Sequence, residues 1–159
     1  MTSEKTSGQN PFVFTHRKDL SNLPLGAREQ EVNLHGGFAI DDRPGYGHIY
    51  YGMPGAGIMR IDPDLQKQEI IGLPDELTPL NFHGTKLGTF DGKRRLFLSA
   101  NGDEMVVVLT LDGEGDFTLP RPVFDEYQAE EALYKPTDTV LVGDQLYIAD
   151  GYGSNYIVT

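Results

Sequence analysis

The sequence contains no cysteine, which excludes a disulfide framework and any metal site built from thiolates. It has no apolar run of 18 residues, so we expect no transmembrane helix. The segment Met1–Asn10 is polar and lacks the apolar core of a signal peptide. The compartment stays open: a cytoplasmic protein fits, and so does a secreted protein whose signal peptide has been removed.

Basic residues are also scarce, with 13 Lys and Arg against 24 Asp and Glu, for a formal net charge of −11. A surface of this charge repels phosphate backbones and anionic lipids, so we expect neither nucleic acid nor a membrane as a partner. It attracts cations, including metal ions and basic peptides. The 19 Gly and 10 Pro among 159 residues are typical of one domain with many turns and short strands.

The last quarter of the chain shows the pattern of strands most clearly. Thr139–Val142 is rich in β-branched residues, Gly143-Asp144 forms a turn, Leu146–Ala149 is a second strand and Tyr156–Val158 begins a third. Val123–Leu133, just before this unit, has the apolar spacing of a short helix or helical loop.

Earlier parts of the chain repeat this unit. The three units open on Leu34-His35-Gly36, Phe82-His83-Gly84 and Pro136-Thr137-Asp138. A period of about 40–50 residues with four strands per unit is typical of β-propeller blades. We therefore predict an all-β fold, an incomplete propeller of about three antiparallel blades, with a generic antiparallel β domain as the alternative. The predicted blades are 32–73, 82–119 and 135–159.

The predicted domain covers residues 11–159 and follows a disordered tail at residues 1–10. Phe12–His16 alternates apolar and polar residues and is predicted to be a strand, whereas Arg17–Asn33 should be irregular. A propeller closes only with about four blades or more, and open sheet edges are templates for pairing. We therefore expect either a longer parent protein that supplies the missing blades or a second copy, since two copies would supply six.

Repeat-equivalent residues on inner strands meet around the axis of a propeller, and two histidines occupy such positions. His35 and His83 are each followed by Gly, which lets the backbone approach closely. Their neutral ring nitrogens are suited to a divalent metal, zinc first and calcium second. The alternative is that both rings form structural hydrogen bonds between blades. Asp138 faces the same channel, one step past the equivalent position.

Three other motifs lie at or near predicted turns. Tyr152 follows Asp150 in the turn after the second strand of the last unit, where its phenol can donate a hydrogen bond, act as a general base, or pack between blades. Asp150 is expected to accept hydrogen bonds from backbone N–H groups of its own turn. Lys93-Arg94-Arg95 is interpreted as a solvated turn.

The motifs Leu34-His35-Gly36, Ile58-Met59-Arg60-Ile61-Asp62, Pro136-Thr137-Asp138 and Asp150-Gly151-Tyr152 together resemble the NHL-repeat propellers. Within these they look most like the lyase domain of peptidylglycine amidating enzymes. The resemblance implies a six-bladed propeller, a zinc ion held by three channel histidines and a catalytic Tyr. His35 would match the first zinc ligand and Tyr152 the catalytic Tyr. The other two histidines would lie in blades outside this sequence, and the family's essential Arg has no counterpart.

Three functions are consistent with this sequence. The first is a binding module whose channel face holds a metal, a small ligand or a peptide. The second is a metal-dependent lyase or hydrolase that uses Tyr152, and the third is a structural scaffold with an empty channel. We expect the first, on the basis of the repeated histidines.

Overall fold

A computed structural model describes residues 5–18, 22–30 and 34–159, and within these residues the protein is built almost entirely of β-strands. The elements in chain order are β1 (Thr6–Gln9), β2 (Phe12–Thr15), α1 (Leu25–Arg28), β3 (Ala39–Ile40), β4 (Ile49–Met53), β5 (Gly57–Ile61), β6 (Gln68–Ile71), β7 (Phe82–Phe90), β8 (Lys93–Ala100), β9 (Met105–Leu109), β10 (Gly115–Pro120), a 3₁₀ turn (Asp125–Tyr127), β11 (Asp138–Val142), β12 (Gln145–Ala149) and β13 (Ile157–Val158).

The strands form a hairpin and three larger sheets, and every pairing is antiparallel. The hairpin is β1–β2. Sheet 1 has the order β3-β4-β5-β6, sheet 2 the order β7-β8-β9-β10, and sheet 3 the order β11-β12-β13. Each of the three sheets is thus a meander, in which a strand pairs with the next strand along the chain. Sheets 1 and 2 have four strands and sheet 3 has three.

Sheet 2 is buried on both faces because alternate residues of its central strands point to opposite sides. Leu96 and Leu98 pack against residues of sheet 1 such as Tyr50. Phe97, between them in sequence, packs on the other side against residues that include Ile148 of sheet 3. Two hydrophobic cores therefore hold three sheets in a stack, with sheet 2 in the middle.

The far face of sheet 1 is covered by the segment that contains α1. Ala27 of this four-residue helix is fully buried and packs against Tyr51, Met53 and Met59. These side chains alternate with those that face sheet 2, so sheet 1 is also covered on both sides.

The sequence predicted the type and order of these elements well. The all-β fold and its antiparallel units are confirmed, and the predicted strands differ from the observed ones mainly at their ends. β2 forms where Phe12–His16 was predicted to be extended, and the 3₁₀ turn lies inside the predicted helical segment 123–133. Gly143 and Asp144 form the turn between β11 and β12.

Two of the segments that precede sheet 1 differ from expectation. Residues 6–9 form β1, although they lie in the segment predicted to be a disordered tail, and α1 interrupts the segment predicted to be irregular. Residues 1–4, 19–21 and 31–33, which include the predicted start of the first blade, lie outside the described residues.

The interpretation of Lys93-Arg94-Arg95 as a solvated turn is wrong for two of its three residues. Arg95 is 5% exposed, and its guanidinium donates hydrogen bonds to the carboxylate of Asp116 and the carbonyl oxygen of Phe90. The Arg94 side chain is 17% exposed and pairs with carboxylates of the neighbouring sheet. The run is therefore structural, because acidic partners distant in sequence neutralise two of its charges.

Asp41 is the carboxylate that links sheet 1 to sheet 2. Its side chain is 1% exposed and accepts hydrogen bonds from the Arg43 guanidinium at 2.8 and 2.6 Å. Arg94 of β8 reaches across to within 3.8 Å of Asp41 and 2.7 Å of the exposed Asp42. The hydrogen bonds from Arg43 hold the pKa of Asp41 below its usual value of 3.8.

We expect Asp41→Asn to lower the free energy of unfolding at pH 7 by ~1.5–3 kcal/mol, the range for hydrogen bonds to charged groups. Because the folded pKa is depressed, the stabilisation is present above the unfolded pKa and is lost as pH falls through the lower, folded pKa. The difference between wild type and variant, measured by urea unfolding from pH 7 to pH 3, should therefore shrink below about pH 4.

Asp42→Asn is the matched control, since it removes an exposed carboxylate that pairs with the same Arg94. Its effect should stay below ~1 kcal/mol at every pH, as for exposed ion pairs generally. A pH-independent effect of Asp41→Asn would contradict the proposed role of its charge.

Candidate functional site

The openings of the three repeat units lie against one another, and glycine makes this contact possible. A Cβ atom on Gly36 would lie 2.5 Å from the carbonyl oxygen of Phe82, and one on Gly84 would lie 2.6 Å from that of Thr137. Both distances are too short for any side chain without a shift of the backbone. The Gly that follows each histidine therefore contacts the opening of the next unit.

His83 occupies a β-bulge at the start of β7. Phe82 pairs with Ala100 and Gly84 pairs with Ser99, so His83 has no partner residue on β8. A bulge redirects the side chain of its extra residue, and bulges are enriched beside functional sites. Here the bulge frees the backbone of His83 to interact with other sheets.

Two hydrogen bonds connect His83 with the other two units. Its carbonyl oxygen accepts a hydrogen bond from the backbone N–H of Gly37 at 2.9 Å. Its Nδ1 atom lies 2.9 Å from the carbonyl oxygen of Thr137, so Nδ1 carries a proton and donates it. In the neutral ring this leaves the lone pair of Nε2 available to an external donor or a metal ion.

Three aromatic rings meet at this point. The ring centroids of His35 and His83 are 4.8 Å apart, and those of His83 and Tyr152 are 5.1 Å apart, both in edge-to-face contact. His35 is exposed, His83 is partly buried and Tyr152 is 59% exposed. We call these three residues the ring cluster. It lies at the surface, where a ligand can reach it.

Asp138 lies beside the ring cluster but does not join it. Its Oδ2 atom forms an ion pair with the Lys86 ammonium at 3.1 Å, and the two side chains are about half exposed. Its Oδ1 atom is buried beside Gly84 and has no hydrogen-bond partner among the described residues. Lys86 and Asp138 thus form a charged pair between β7, which also carries His83, and β11.

Asp150 fixes the turn that carries Tyr152. Its buried carboxylate accepts hydrogen bonds from the backbone N–H of Ser154 at 2.7 Å, the backbone N–H of Lys135 at 2.6 Å and the Tyr127 hydroxyl at 3.0 Å. The prediction that Asp150 satisfies N–H groups of its own turn is confirmed. Two of the three donors come from the connection before β11, so the same carboxylate also attaches that connection to sheet 3.

Two buried tyrosines surround Asp150 and stay protonated. Burial, together with the hydrogen bond to Asp150, raises the pKa of Tyr127 far above its usual value. Burial, reinforced by the nearby charge of Asp150, raises the pKa of Tyr134 to about 12. Their rings are in edge-to-face contact at 5.5 Å. Tyr127 serves as a hydrogen-bond donor to Asp150 and Tyr134 as a packing residue, and neither is a candidate base.

The structure thus brings together three of the four residues that the sequence singled out, His35, His83 and Tyr152, and places Asp138 next to them. The ring of His48 lies beside that of Tyr50 on β4, at 6.5 Å between centroids. Sequence reasoning missed the bulge at His83, the carbonyl acceptor of Thr137 and the ion pair of Lys86. A bulge leaves no local signal in the sequence, because it is defined by the pairing register with another strand.

The described part of the chain contains no group of three or more His, Cys, Asp or Glu side chains placed to hold a metal ion. A catalytic zinc site uses three protein ligands and a structural site four. The ring cluster offers two imidazoles and a phenol. These groups are some, but not all, of the ligands that such a metal site needs. Further ligands would have to come from elsewhere.

Comparison of the chain with models of protein families, with curated protein sequences and with solved structures gives no match. Among the helices that the structure describes, none has the length and apolar character needed to cross a membrane.

We expect Gly84→Ala to lower the free energy of unfolding by ~1–3 kcal/mol, because the added methyl group overpacks the contact with Thr137 and Asp138. Urea denaturation would measure this effect. Gly102→Ala is the control, since a Cβ atom at Gly102 meets nothing within 4 Å, and its effect should lie within ~0.5 kcal/mol. Equal effects of the two substitutions would contradict the close approach of the units.

Proposed function

We propose that this chain forms part of a β-propeller of the NHL-repeat kind, and that it acts as a binding module through the face where its units open. The propeller is supported by three successive meander sheets, each packed on the next through a hydrophobic core. A ring of such sheets would place repeat-equivalent residues around one axis. The missing sheets would come from a longer parent chain or from a second copy.

The observation that carries the binding proposal is the ring cluster of His35, His83 and Tyr152. Three side chains with hydrogen-bonding or metal-binding atoms meet there at ring distances of 4.8 and 5.1 Å, although they are far apart in sequence. A divalent metal ion or a small polar ligand is the chemistry that this donor set favours. A peptide or protein partner would be recognised at the same exposed face.

We propose that His35 and His83 are two of the ligands of a zinc ion. The bond from Nδ1 of His83 to Thr137 fixes the ring in the way that backbone carbonyls orient metal-binding histidines. A shared zinc ion, at ~2.1 Å from one nitrogen of each ring, would require the two edge-to-face rings, whose centroids are 4.8 Å apart, to turn toward it. When bound, the metal ion would polarise an oxygen atom of a ligand or lower the pKa of a bound water.

The scaffold alternative draws on the same hydrogen bond. A histidine whose ring nitrogen bonds to a neighbouring backbone carbonyl can be purely structural, and His83 makes such a bond. The ring of His35, in contrast, has no hydrogen-bond partner among the described residues. In the scaffold alternative, the role of the His35 ring is its edge-to-face packing on His83.

Zinc titration, followed by calorimetry or by competition with a chromophoric chelator, tests the binding proposal. We expect wild-type protein to bind zinc, and His35→Ala and His83→Ala each to weaken binding at least ~10-fold, as for loss of groups that hold or orient a metal. His48→Ala is the control and should bind as wild type does. Unchanged stoichiometry and affinity in both cluster variants would exclude the ring cluster as the site.

A metal-dependent lyase is the second candidate function, and the position of Tyr152 favours it. The phenol belongs to an exposed residue that packs against His83, so a substrate held at the histidines would meet it. In a reaction like that of the amidating lyases, Tyr152 would exchange a proton with the hydroxyl group of an α-hydroxyglycine peptide. The resemblance of the Asp150-Gly151-Tyr152 turn is the further support for this role.

Turnover of an α-hydroxyglycine peptide to the peptide amide and glyoxylate tests the lyase. If the lyase proposal is right, metal-loaded protein should release both products, and Tyr152→Phe should reduce the rate at least ~100-fold, the smaller end of general-base effects. Tyr156→Phe, which alters another exposed tyrosine, is the control and should retain activity. Absence of turnover by the metal-loaded full-length protein, with its ring of sheets complete, would remove this candidate and leave the binding proposal standing.

A further inference from the structure

The turn between β8 and β9 carries the single Asn-Gly pair of the sequence, Asn101-Gly102. These two residues are the centre of the turn, because the backbone N–H of Asp103 donates a hydrogen bond to the carbonyl oxygen of Ala100 at 3.2 Å and closes the turn around them. The central residues of both flanking strands are buried, whereas the turn is at the surface. The hairpin therefore presents Asn101 and Gly102 at its tip.

Both residues are accessible to solvent, and no hydrogen bond holds either reacting group. Asn101 is partly exposed and Gly102 is exposed. Within the part of the chain that the structure describes, neither the side-chain amide of Asn101 nor the backbone N–H of Gly102 has a hydrogen-bond partner. A Cβ atom at Gly102 would meet nothing within 4 Å. The fold therefore leaves room for the side chain of Asn101 and the backbone nitrogen of Gly102 to approach each other.

We propose that Asn101-Gly102 is a site of spontaneous deamidation in the folded protein, which yields aspartate and isoaspartate at position 101. The reaction is intramolecular, so its rate depends on how closely the backbone nitrogen can approach the side-chain carbon. A residue without a Cβ atom after the asparagine favours that approach, because its backbone is the least restricted. Water is the only other reactant. The proposal is independent of the ring cluster and of any ligand bound there.

The reaction begins with attack of the backbone nitrogen of Gly102 on the side-chain carbon Cγ of Asn101. A C–N bond forms and closes a succinimide ring, and the side-chain amide leaves as ammonia together with the proton of the attacking nitrogen. Water then adds to one of the two ring carbonyls. Cleavage of the bond between this nitrogen and Cγ gives aspartate, and cleavage of its bond to the main-chain carbonyl carbon gives isoaspartate. In total –NH₂ is replaced by –OH, and no group is oxidised or reduced.

The other asparagines of the sequence lack this combination. Each is followed by Pro, Leu, Phe or Tyr. Pro has no N–H, and a large side chain hinders the approach of the backbone nitrogen to Cγ. Asn155, which precedes Tyr156, is exposed and also lies in a turn, where its backbone N–H donates a hydrogen bond to the carbonyl oxygen of Asp150 at 3.1 Å. It is therefore the matched internal control.

Deamidation would change the charge at the end of sheet 2 that carries His83. Ala100 precedes Asn101 and pairs with Phe82, the residue before His83. The new carboxylate would add to those of the two acidic residues that follow Gly102 in the same turn. The face on which the units open would thus become more negative.

Incubation of the folded 159-residue chain at mildly alkaline pH, followed by peptide mapping with mass spectrometry, tests the proposal. The replacement of –NH₂ by –OH identifies deamidation, and labelling by an isoaspartate-specific methyltransferase identifies the isomer. We expect both products at Asn101, and we expect Asn155 in the same molecules to react at least ~10-fold more slowly. Equal rates at the two positions would contradict the proposal.

A synthetic peptide of residues 98–105 gives the rate of the reaction without the fold. If the fold protected the site, the chain would react only through its unfolded fraction, on the order of 10⁻³–10⁻⁶ of the molecules, and would be slower than the peptide by that factor. Because no hydrogen bond holds the two reacting groups, we expect the folded chain to react within ~10-fold of the peptide rate. A rate ~1000-fold or more below that of the peptide would overturn the proposal.

Gly102→Ala separates access of the backbone nitrogen from stability. The added methyl group meets nothing within 4 Å, so the variant should unfold at the same urea concentration as wild type. It should nevertheless slow deamidation at least ~10-fold, in the folded chain and in the matching peptide alike, because a Cβ atom restricts the approach of the nitrogen. An unchanged rate in Gly102→Ala would exclude the proposed attack by the nitrogen of residue 102.

Discussion

The arrangement of this protein depends on one strand, β7. This strand pairs with β8 inside sheet 2 and also contacts sheets 1 and 3. Close contact on both sides leaves no room for side chains near its start, which is why Gly84 lies against Thr137 and Gly36 lies against Phe82. The bulge at His83 resolves the conflict, because it releases a carbonyl and an imidazole from sheet 2 to bond with its neighbours. The backbone of three units is thereby fixed at one point.

This constraint also creates the candidate site. The start of β7 has no space for bulky side chains on the sides that contact sheets 1 and 3. It can still direct one side chain to the surface, and at the bulge this side chain is His83, which contacts His35 and Tyr152. The turn that carries Tyr152 is fixed by the buried Asp150 carboxylate. The ring cluster therefore consists of surface groups held by buried structure, which is the usual design of a binding site on a rigid scaffold.

The charged residues show the same dependence on distant partners. Arg95 is buried because Asp116, on another strand of the same sheet, and the Phe90 carbonyl accept its protons. Arg94 is held by Asp41 and Asp42, which precede it by about 50 residues and directly follow a strand of another sheet. A short basic run has the same composition whether it is solvated or paired, so its environment could not be predicted from the residues around it.

By itself the sequence determined the local structure. The alternation of apolar residues and the positions of Gly, Pro and Asp specified nearly every strand and turn, because these signals act over a few residues. The repeated His-Gly openings also predicted that equivalent positions would meet. Only the tertiary structure decided how they meet: the bulge at His83, its bond to Thr137, and the burial of Arg95. Each depends on which atoms of a different strand or unit lie opposite, and that register follows from packing of whole sheets rather than from any local pattern.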